Sequence, residues 1–187
     1  MNTSIAQRIR VPLGFCYGLL FLYLATPLPA FFYPGIVLAG LGSALRVWAA
    51  GHLNKGRELA TSGPYSWTRN PLYLGSFFMG LGFTLAAANF WLAVLFPVLF
   101  VAIYIPVMKR EEQELTRTFG VGYAVYRDQV ALFLPLNPPF IPRREEGDSK
   151  PTGNFQWGKV ICNREYRAVV GFFLVTALIW TKMFLWR

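Results

Sequence analysis

The sequence predicts an all-α protein that crosses a membrane several times, and three observations support this. Hydrophobic residues make up 55% of the 187 residues and charged residues only 14%, whereas soluble domains carry roughly a quarter charged residues. The apolar residues are grouped into runs close to the ~20 residues that an α-helix needs to cross a bilayer. The lysines and arginines lie mostly beside these runs, as is typical of a cytoplasmic membrane surface.

Proline and asparagine mark the ends of the apolar runs. Pro34 and Pro71 are expected at helix starts, because proline is tolerated in the first helical turn, and Asn89 marks a short turn. From Lys109 onward the sequence becomes charged and amphipathic, which is typical of helices that lie against a membrane face. Five transmembrane helices are therefore predicted at residues 11–26, 34–51, 71–88, 90–108 and 168–186, with amphipathic helices at 109–119 and 123–134.

The distribution of basic residues predicts the orientation. Residues 27–33, between the first two predicted spans, contain no lysine or arginine. The positive-inside rule then places the N-terminus, residues 52–70 and residues 109–167 on the cytoplasmic side. The expected division is a membrane-embedded domain at residues 1–136, a polar linker at 137–167 and a C-terminal transmembrane helix at 168–187.

Composition argues against several kinds of partner. The net charge of +9 is explained by the membrane surface, so we do not expect nucleic-acid binding. The two cysteines, Cys16 and Cys162, have no spacing that indicates a disulfide framework or a metal cluster. With His52 as the single histidine, a transition-metal site is not expected.

A polar loop between two apolar runs, at residues 59–75, is the first candidate site. It combines two turn signals, Gly63-Pro64 and Asn70-Pro71, with a cation, Arg69, and two tyrosines. A helix that begins at Pro71 would leave backbone N–H groups at its positive end, where an anionic group can bind. On composition alone, an ordinary interfacial loop with tyrosines at the membrane surface is the better interpretation.

Three further positions are candidates, each with a plainer alternative. Arg46 lies inside a predicted span, where a charge usually faces a partner or a cavity, although it could also snorkel to the surface. His52 could contact a cofactor or simply cap the helix end. Glu111, Glu112 and Glu114 differ in direction by about 100° per residue, so at least one should point inward. In isolation, a solvated helix start with acids near its N-terminus is the better interpretation.

Taken together in order, these segments resemble a family. The pattern consists of Leu45-Arg46, Ala60-Thr-Ser-Gly-Pro-Tyr65, Arg69-Asn-Pro-Leu-Tyr-Leu-Gly75, Glu111-Glu112, Leu115, Phe119-Gly120, Tyr123, Tyr126 and Leu134-Pro135. It is similar to the isoprenylcysteine carboxyl methyltransferases and the related membrane phospholipid methyltransferases. The similarity covers about residues 40–136, the family-like core of the predicted membrane domain.

The resemblance implies an integral-membrane methyltransferase that uses S-adenosylmethionine and needs no metal. It implies catalytic roles for Arg69 and Glu112, with Arg46 and Arg69 contacting the acceptor. Glu111 and Glu112 would bind the ammonium end of the cofactor. The expected cofactor contacts are His52, Tyr65, Arg69, Asn70, Pro71, Tyr73, Leu74, Gly75, Glu111, Glu112, Tyr123 and Tyr126.

The acceptor implied is a membrane lipid or a lipidated substrate. The isoprenylcysteine enzymes usually have histidine where this chain has Asn70, which favours a phospholipid headgroup amine over an isoprenylcysteine-like carboxylate or thiol. Two other classes remain open. Sterol-type membrane reductases that use NADPH share a similar Arg-x-Pro-x-Tyr pattern, and a non-enzymatic membrane scaffold would bind no cofactor.

Overall fold

The chain folds entirely into α-helices and connections within the part that the computed structural model describes, namely residues 5–54, 58–141 and 153–185. For residues 5–11, 13 and 15 only the backbone is described. These ranges contain no strand, and Thr68 and Ala131 form an isolated parallel bridge. The helices are Ile5–Leu24 (α1), Pro29–His52 (α2), Pro71–Ala86 (α3), Phe90–Gln129 (α4), Trp157–Cys162 (α5) and Tyr166–Leu185 (α6), with a short 3-10 helix at Gly63–Ser66.

The prediction of a polytopic, all-α membrane protein is confirmed, but the predicted count of five spans is wrong. Among the described residues, three helices are long and apolar enough to cross a membrane: α2, α4 and α6. Helix α3 is apolar but has only 16 residues, and at 1.5 Å per residue it is about 24 Å long. That is shorter than a bilayer core of about 30 Å.

Two of the three predicted helix boundaries are confirmed and one is wrong. Helix α3 begins at Pro71, and the Asn89 side chain caps α4 by accepting a hydrogen bond from the backbone N–H of Leu92 at 3.2 Å. Helix α2, in contrast, begins at Pro29, and Pro34 lies inside it. Pro29 already occupies the first turn, where proline costs no hydrogen bond.

The fourth span continues into the first predicted amphipathic helix, and the second follows across a kink at Gly120, as the predicted separation of 109–119 from 123–134 requires. Helix α4 has 40 residues, and its part before Gly120, residues 90–119, is about 45 Å long, so roughly a third of that part extends beyond a bilayer core. Lysine, arginine and glutamate are good helix formers, which is why the change to charged sequence at Lys109 does not end the helix. Gly120 interrupts α4 with φ 55° and ψ −126°. The helix ends at Gln129, because Val130 is extended, and not at residue 134 as predicted.

Glycines bring α2 and α3 into backbone contact. Gly35 on α2 faces Gly82 on α3, and Gly42 faces Gly75. On each helix the two glycines are seven residues apart. A methyl group on Gly42 would lie 2.6 Å from the carbonyl oxygen of Gly75. Small residues at such a seam let two membrane helices approach closely. The approach also sets Arg46 against Gly75, since a Cβ at Gly75 would lie 2.6 Å from Arg46 Cγ.

The segment predicted as a linker packs, where described, against the end of α2. We call residues 153–165 the C-terminal elbow. Within it, Gln156 N–H donates to the Gly51 carbonyl at 3.0 Å, and Asn163 Nδ2 donates to the carbonyls of Ala50 at 3.1 Å and Leu53 at 3.0 Å. Residues 142–152 of the predicted linker and residues 186–187 of the predicted C-terminal span lie outside the described residues.

Candidate active site

A cavity of about 540 Å³ opens where the loop after α2, the start of α3, the charged half of α4 and the C-terminal elbow meet. This volume falls within the range of small-molecule sites. Eight of the twelve expected cofactor contacts line it. Its ionisable and phenolic lining residues are Arg46, Glu58, Arg69, Glu111, Glu114, Glu165, Tyr65, Tyr73, Tyr123 and Tyr126, and Asn70 and Pro71 also line it.

The loop that carries Arg69 is held by the extended segment after α4. The backbone N–H of Arg69 donates to the Ala131 carbonyl at 2.9 Å. The buried Thr68 hydroxyl donates to the Phe133 carbonyl at 2.7 Å. The Asn70 side chain donates to the Leu132 carbonyl at 2.9 Å. Asn70 thus has a structural use, because its amide fixes the start of α3 against residues 131–133.

The buried Tyr65 and Tyr126 connect this loop to α4. Tyr126 OH donates to the Tyr65 carbonyl at 2.7 Å. Burial raises the pKa of the Tyr65 phenol well above its ordinary value, and the nearby Tyr126, Glu165 and Glu111 reinforce the shift. Tyr65 is therefore a neutral phenol at physiological pH, and it can donate a hydrogen bond but not act as a base.

Arg69 is only partly satisfied by the protein. Its guanidinium Nη1 donates to Glu112 Oε1 at 2.8 Å, and Arg127 Nε lies 3.9 Å from the same oxygen. Within the described residues, the Nε of Arg69 is buried without a hydrogen-bond partner. Most buried donors in folded proteins are paired, so this N–H is an exception within the site.

The acidic cluster of α4 divides in the way its helical spacing predicts. Glu111 and Glu114 line the cavity, and Tyr73 OH donates to Glu111 Oε1 at 2.6 Å. Glu112 instead pairs with Arg69 and does not line the cavity. The expectation that at least one of these acids turns inward is confirmed.

Arg46 pairs with an acid rather than snorkelling. Its Nε and Nη2 donate to the two carboxylate oxygens of Glu165 at 3.0 and 2.9 Å. Its Nη1 donates to the Leu72 carbonyl at 3.2 Å and also to the Ser76 hydroxyl. Sequence reasoning missed Glu165, which lies in the segment taken as a linker. The available signal was that an arginine inside a span needs a counter-charge, and Glu165 is the acid next to the final span.

Four of the expected contacts lie outside the cavity lining. His52 Nδ1 is 3.0 Å from Ser62 Oγ and 2.9 Å from the Gly153 carbonyl oxygen, so its ring joins the loop to the C-terminal elbow. Gly63 has φ 60° and would place a Cβ 2.6 Å from His52 Nε2, so only glycine fits there. The other three are Leu74, buried in α3, Gly75, at the helix seam, and Glu112.

The lining is acidic although the whole chain is basic. Four carboxylates, Glu58, Glu111, Glu114 and Glu165, face two guanidiniums, Arg46 and Arg69, so the described lining carries a charge of −2 in a chain of net charge +9. Such a cavity favours a cationic ligand. Among the described residues, no group of three or more His, Cys, Asp or Glu is placed to hold a metal ion.

Comparison of the sequence with known proteins identifies several relatives. The protein-S-isoprenylcysteine O-methyltransferase of Schizosaccharomyces pombe is 34% identical over 85 residues, which cover 46% of this chain and 36% of the relative. The corresponding enzyme of Saccharomyces cerevisiae is 31% identical over 78 residues, 42% of this chain and 33% of the relative. The nickel-cobalt-cadmium resistance protein NccN of Alcaligenes xylosoxydans xylosoxydans is 33% identical over 124 residues, 65% of this chain and 55% of the relative.

The chain therefore spans about a third to a half of the length of the curated relatives it matches. No solved structure matches it significantly. The matched family region includes α3, most of α2 and α4, and the cavity-lining residues Arg69 and Glu111. The resemblance drawn from the sequence is confirmed: residues 31–122 match the phospholipid methyltransferase family.

Proposed function

We propose that this chain is an integral-membrane methyltransferase that uses S-adenosylmethionine and methylates a lipid-like acceptor. The observation that supports this most directly is the acid-lined cavity beside the apolar helices, with Arg69 among the residues of its wall. The match to the phospholipid methyltransferase family supports the reaction class.

The residues present fit the cofactor. When bound, S-adenosylmethionine supplies a methyl group activated on a positively charged sulfur. The excess of carboxylates in the lining complements that charge and an ammonium group. The guanidinium of Arg69, which lines the cavity, is suited to a carboxylate oxygen, since arginine–carboxylate hydrogen bonds are among the stronger ones in proteins.

The chain contributes position and exclusion of water rather than strong acid or base. Methyl transfer requires a nucleophile aligned with the sulfur and protected from competing water. Arg69 holds the ligand and is itself oriented by Glu112. Glu111, which lines the cavity and accepts a hydrogen bond from Tyr73 OH, is the carboxylate that we assign to accept a proton from an amine acceptor.

The preferred acceptor is a phospholipid headgroup amine. An acidic lining attracts an ammonium group and disfavours a free carboxylate. An isoprenylcysteine-like carboxylate or thiol is the second candidate, in line with the names of two relatives. The clustering of basic residues supports a cytoplasmic location for the N-terminus and the cavity.

The deciding experiment measures binding and transfer with the purified chain in detergent. Calorimetry should show binding of S-adenosylmethionine, and labelled methyl groups should appear in the amine-headgroup phospholipids of a total membrane lipid extract. Tight binding of NADPH without S-adenosylmethionine binding would instead support a sterol-type reductase. Binding of neither would support a scaffold.

A further inference from the structure

We infer that Glu165 is a specificity-determining residue, which makes the cavity favour the positively charged S-adenosylmethionine over its neutral product. The inference rests on the proposed function. It extends the site beyond residues 31–122, the region matched by the family, to the C-terminal elbow.

Glu165 is a buried acid that lines the cavity. Only 6% of its surface is exposed, and its carboxylate forms the bidentate pair with Arg46. Each carboxylate oxygen has two lone-pair positions, so the pair leaves Glu165 able to accept further hydrogen bonds from the cavity side. Arg46 has less capacity left, because it already donates four hydrogen bonds.

The C-terminal elbow holds Glu165 in place from both sides. Before it, Asn163 donates to two carbonyls at the end of α2, and Arg164 turns the chain with φ 58°. Phe155 packs its ring against Gly51, where even a Cβ would clash. After it, Val169 N–H donates to the Glu165 carbonyl at 3.2 Å as α6 begins. Because the chain is held on both sides of Glu165 and Arg46 holds its carboxylate, the charge of Glu165 is pre-organised.

Loss of the Glu165 charge should change the relative affinity for cationic and neutral ligands, whereas loss of its packing should affect both ligands equally. Without it, three carboxylates face two guanidiniums, and the described lining changes from −2 to −1. A cationic ligand loses attraction, whereas a neutral ligand of nearly the same shape does not. S-adenosylhomocysteine is such a ligand, because it lacks only the methyl group and the charge on sulfur. One unit charge in a partly solvated site changes the affinity for a cation by about three- to tenfold.

The test compares the Kd values of S-adenosylmethionine and S-adenosylhomocysteine, measured by calorimetry on the full chain in detergent. The variants are Glu165→Gln, Glu165→Asp and the double variant Arg46→Gln/Glu165→Gln. The exposed Asp128 lies outside the cavity lining, so Asp128→Asn is the control for removal of an acid. Folding is checked by size-exclusion chromatography and by thermal unfolding.

In Glu165→Gln, the preference for S-adenosylmethionine should fall about three- to tenfold. It should stay at the wild-type level in Glu165→Asp and Asp128→Asn, and return to it in the double variant, whose lining charge is again −2. Should Glu165→Gln fail to fold, the double variant Arg46→Lys/Glu165→Gln replaces it, because a flexible lysine can extend its charge to water. Its lining charge is also −1, so the same three- to tenfold fall must appear.

An equal loss of affinity for both ligands, or an unchanged ratio in Glu165→Gln, would show that Glu165 only supports the fold. In that case the proposed function still stands. Failure of the wild-type chain to bind either ligand would instead overturn the proposed function.

Discussion

The two arginines of the cavity have the same chemistry but different surroundings. Arg46, at the end of the cavity formed by α2 and the C-terminal elbow, uses its Nε and both terminal nitrogens on Glu165, Leu72 and Ser76. Arg69, at the end formed by the polar loop and α4, pairs with Glu112 and keeps a buried Nε without a partner in the described part of the chain. Both were expected to contact the acceptor.

The difference separates a structural charge from a binding charge. In the Arg46–Glu165 pair each charge compensates the other, so removal of one partner leaves an uncompensated buried charge and destabilises the fold. A buried donor without a protein partner costs stability unless a ligand satisfies it. Substitution of Arg46 should therefore affect mainly stability, whereas substitution of Arg69 should affect mainly binding and turnover.

The largest expected effect is on stability in Arg46→Gln. The substitution leaves Glu165 buried without its counter-charge, which costs about 3–5 kcal/mol. The free energy of unfolding, measured by titration of the detergent-solubilised protein with SDS, should fall by that amount. The double variant Arg46→Gln/Glu165→Gln should recover most of the loss. A loss below 1 kcal/mol in the single variant would mean that the pair contributes little.

The next effect is on turnover in Arg69→Gln. Loss of a positioned cation at a reacting centre lowers kcat by about 10²–10³-fold, as for other pre-organised donors. The unfolding midpoint should fall less than in Arg46→Gln, since Glu112 is more exposed than Glu165 and keeps Arg127 Nε 3.9 Å from its Oε1. Methyl transfer to the lipid extract provides the measurement. Near-normal turnover in this variant would contradict the assignment of Arg69 to the ligand.

The smallest effect tests how Arg46 is held by the helix seam. In Gly75→Ala, the added methyl would lie 2.6 Å from Arg46 Cγ and 2.7 Å from the Gly42 carbonyl oxygen. Overpacking of this kind costs about 1–3 kcal/mol. Gly171→Ala on α6 is the matched control, because its Cβ would meet nothing within 4 Å. Equal stability of the two variants would rule out a tight seam at Arg46.

Local sequence signals predicted local features well. The start of α3 at Pro71, the short turn at Asn89 and the inward direction of an acid in the Glu111–Glu114 cluster depend on neighbouring residues, and all three were predicted. The continuation of α4 past Lys109 was not, because a change from apolar to charged sequence marks the membrane boundary and not a helix end.

Long-range pairing could not be predicted from the sequence, for a different reason. Nothing in the local pattern links Arg46 to Glu165, which lies 119 residues away, and proline, glycine and charge in the intervening segment are typical of a linker. His52 illustrates the same limit. It was expected at the cofactor, but its partners are the Gly153 carbonyl and Ser62. Only the packed chain reveals such contacts.

The sequence distance between Arg46 and Glu165 also has a consequence for biogenesis. At about 5–20 residues per second, a ribosome needs roughly 6–24 s to add the 119 residues that separate the arginine from its counter-charge. During that interval Arg46 in α2 has no Glu165 to pair with. The carbonyl of Leu72 and the hydroxyl of Ser76, only 26 and 30 residues further on, are the partners available first. We therefore expect contacts within the α2–α3 hairpin to stabilise Arg46 until Glu165 has been synthesised.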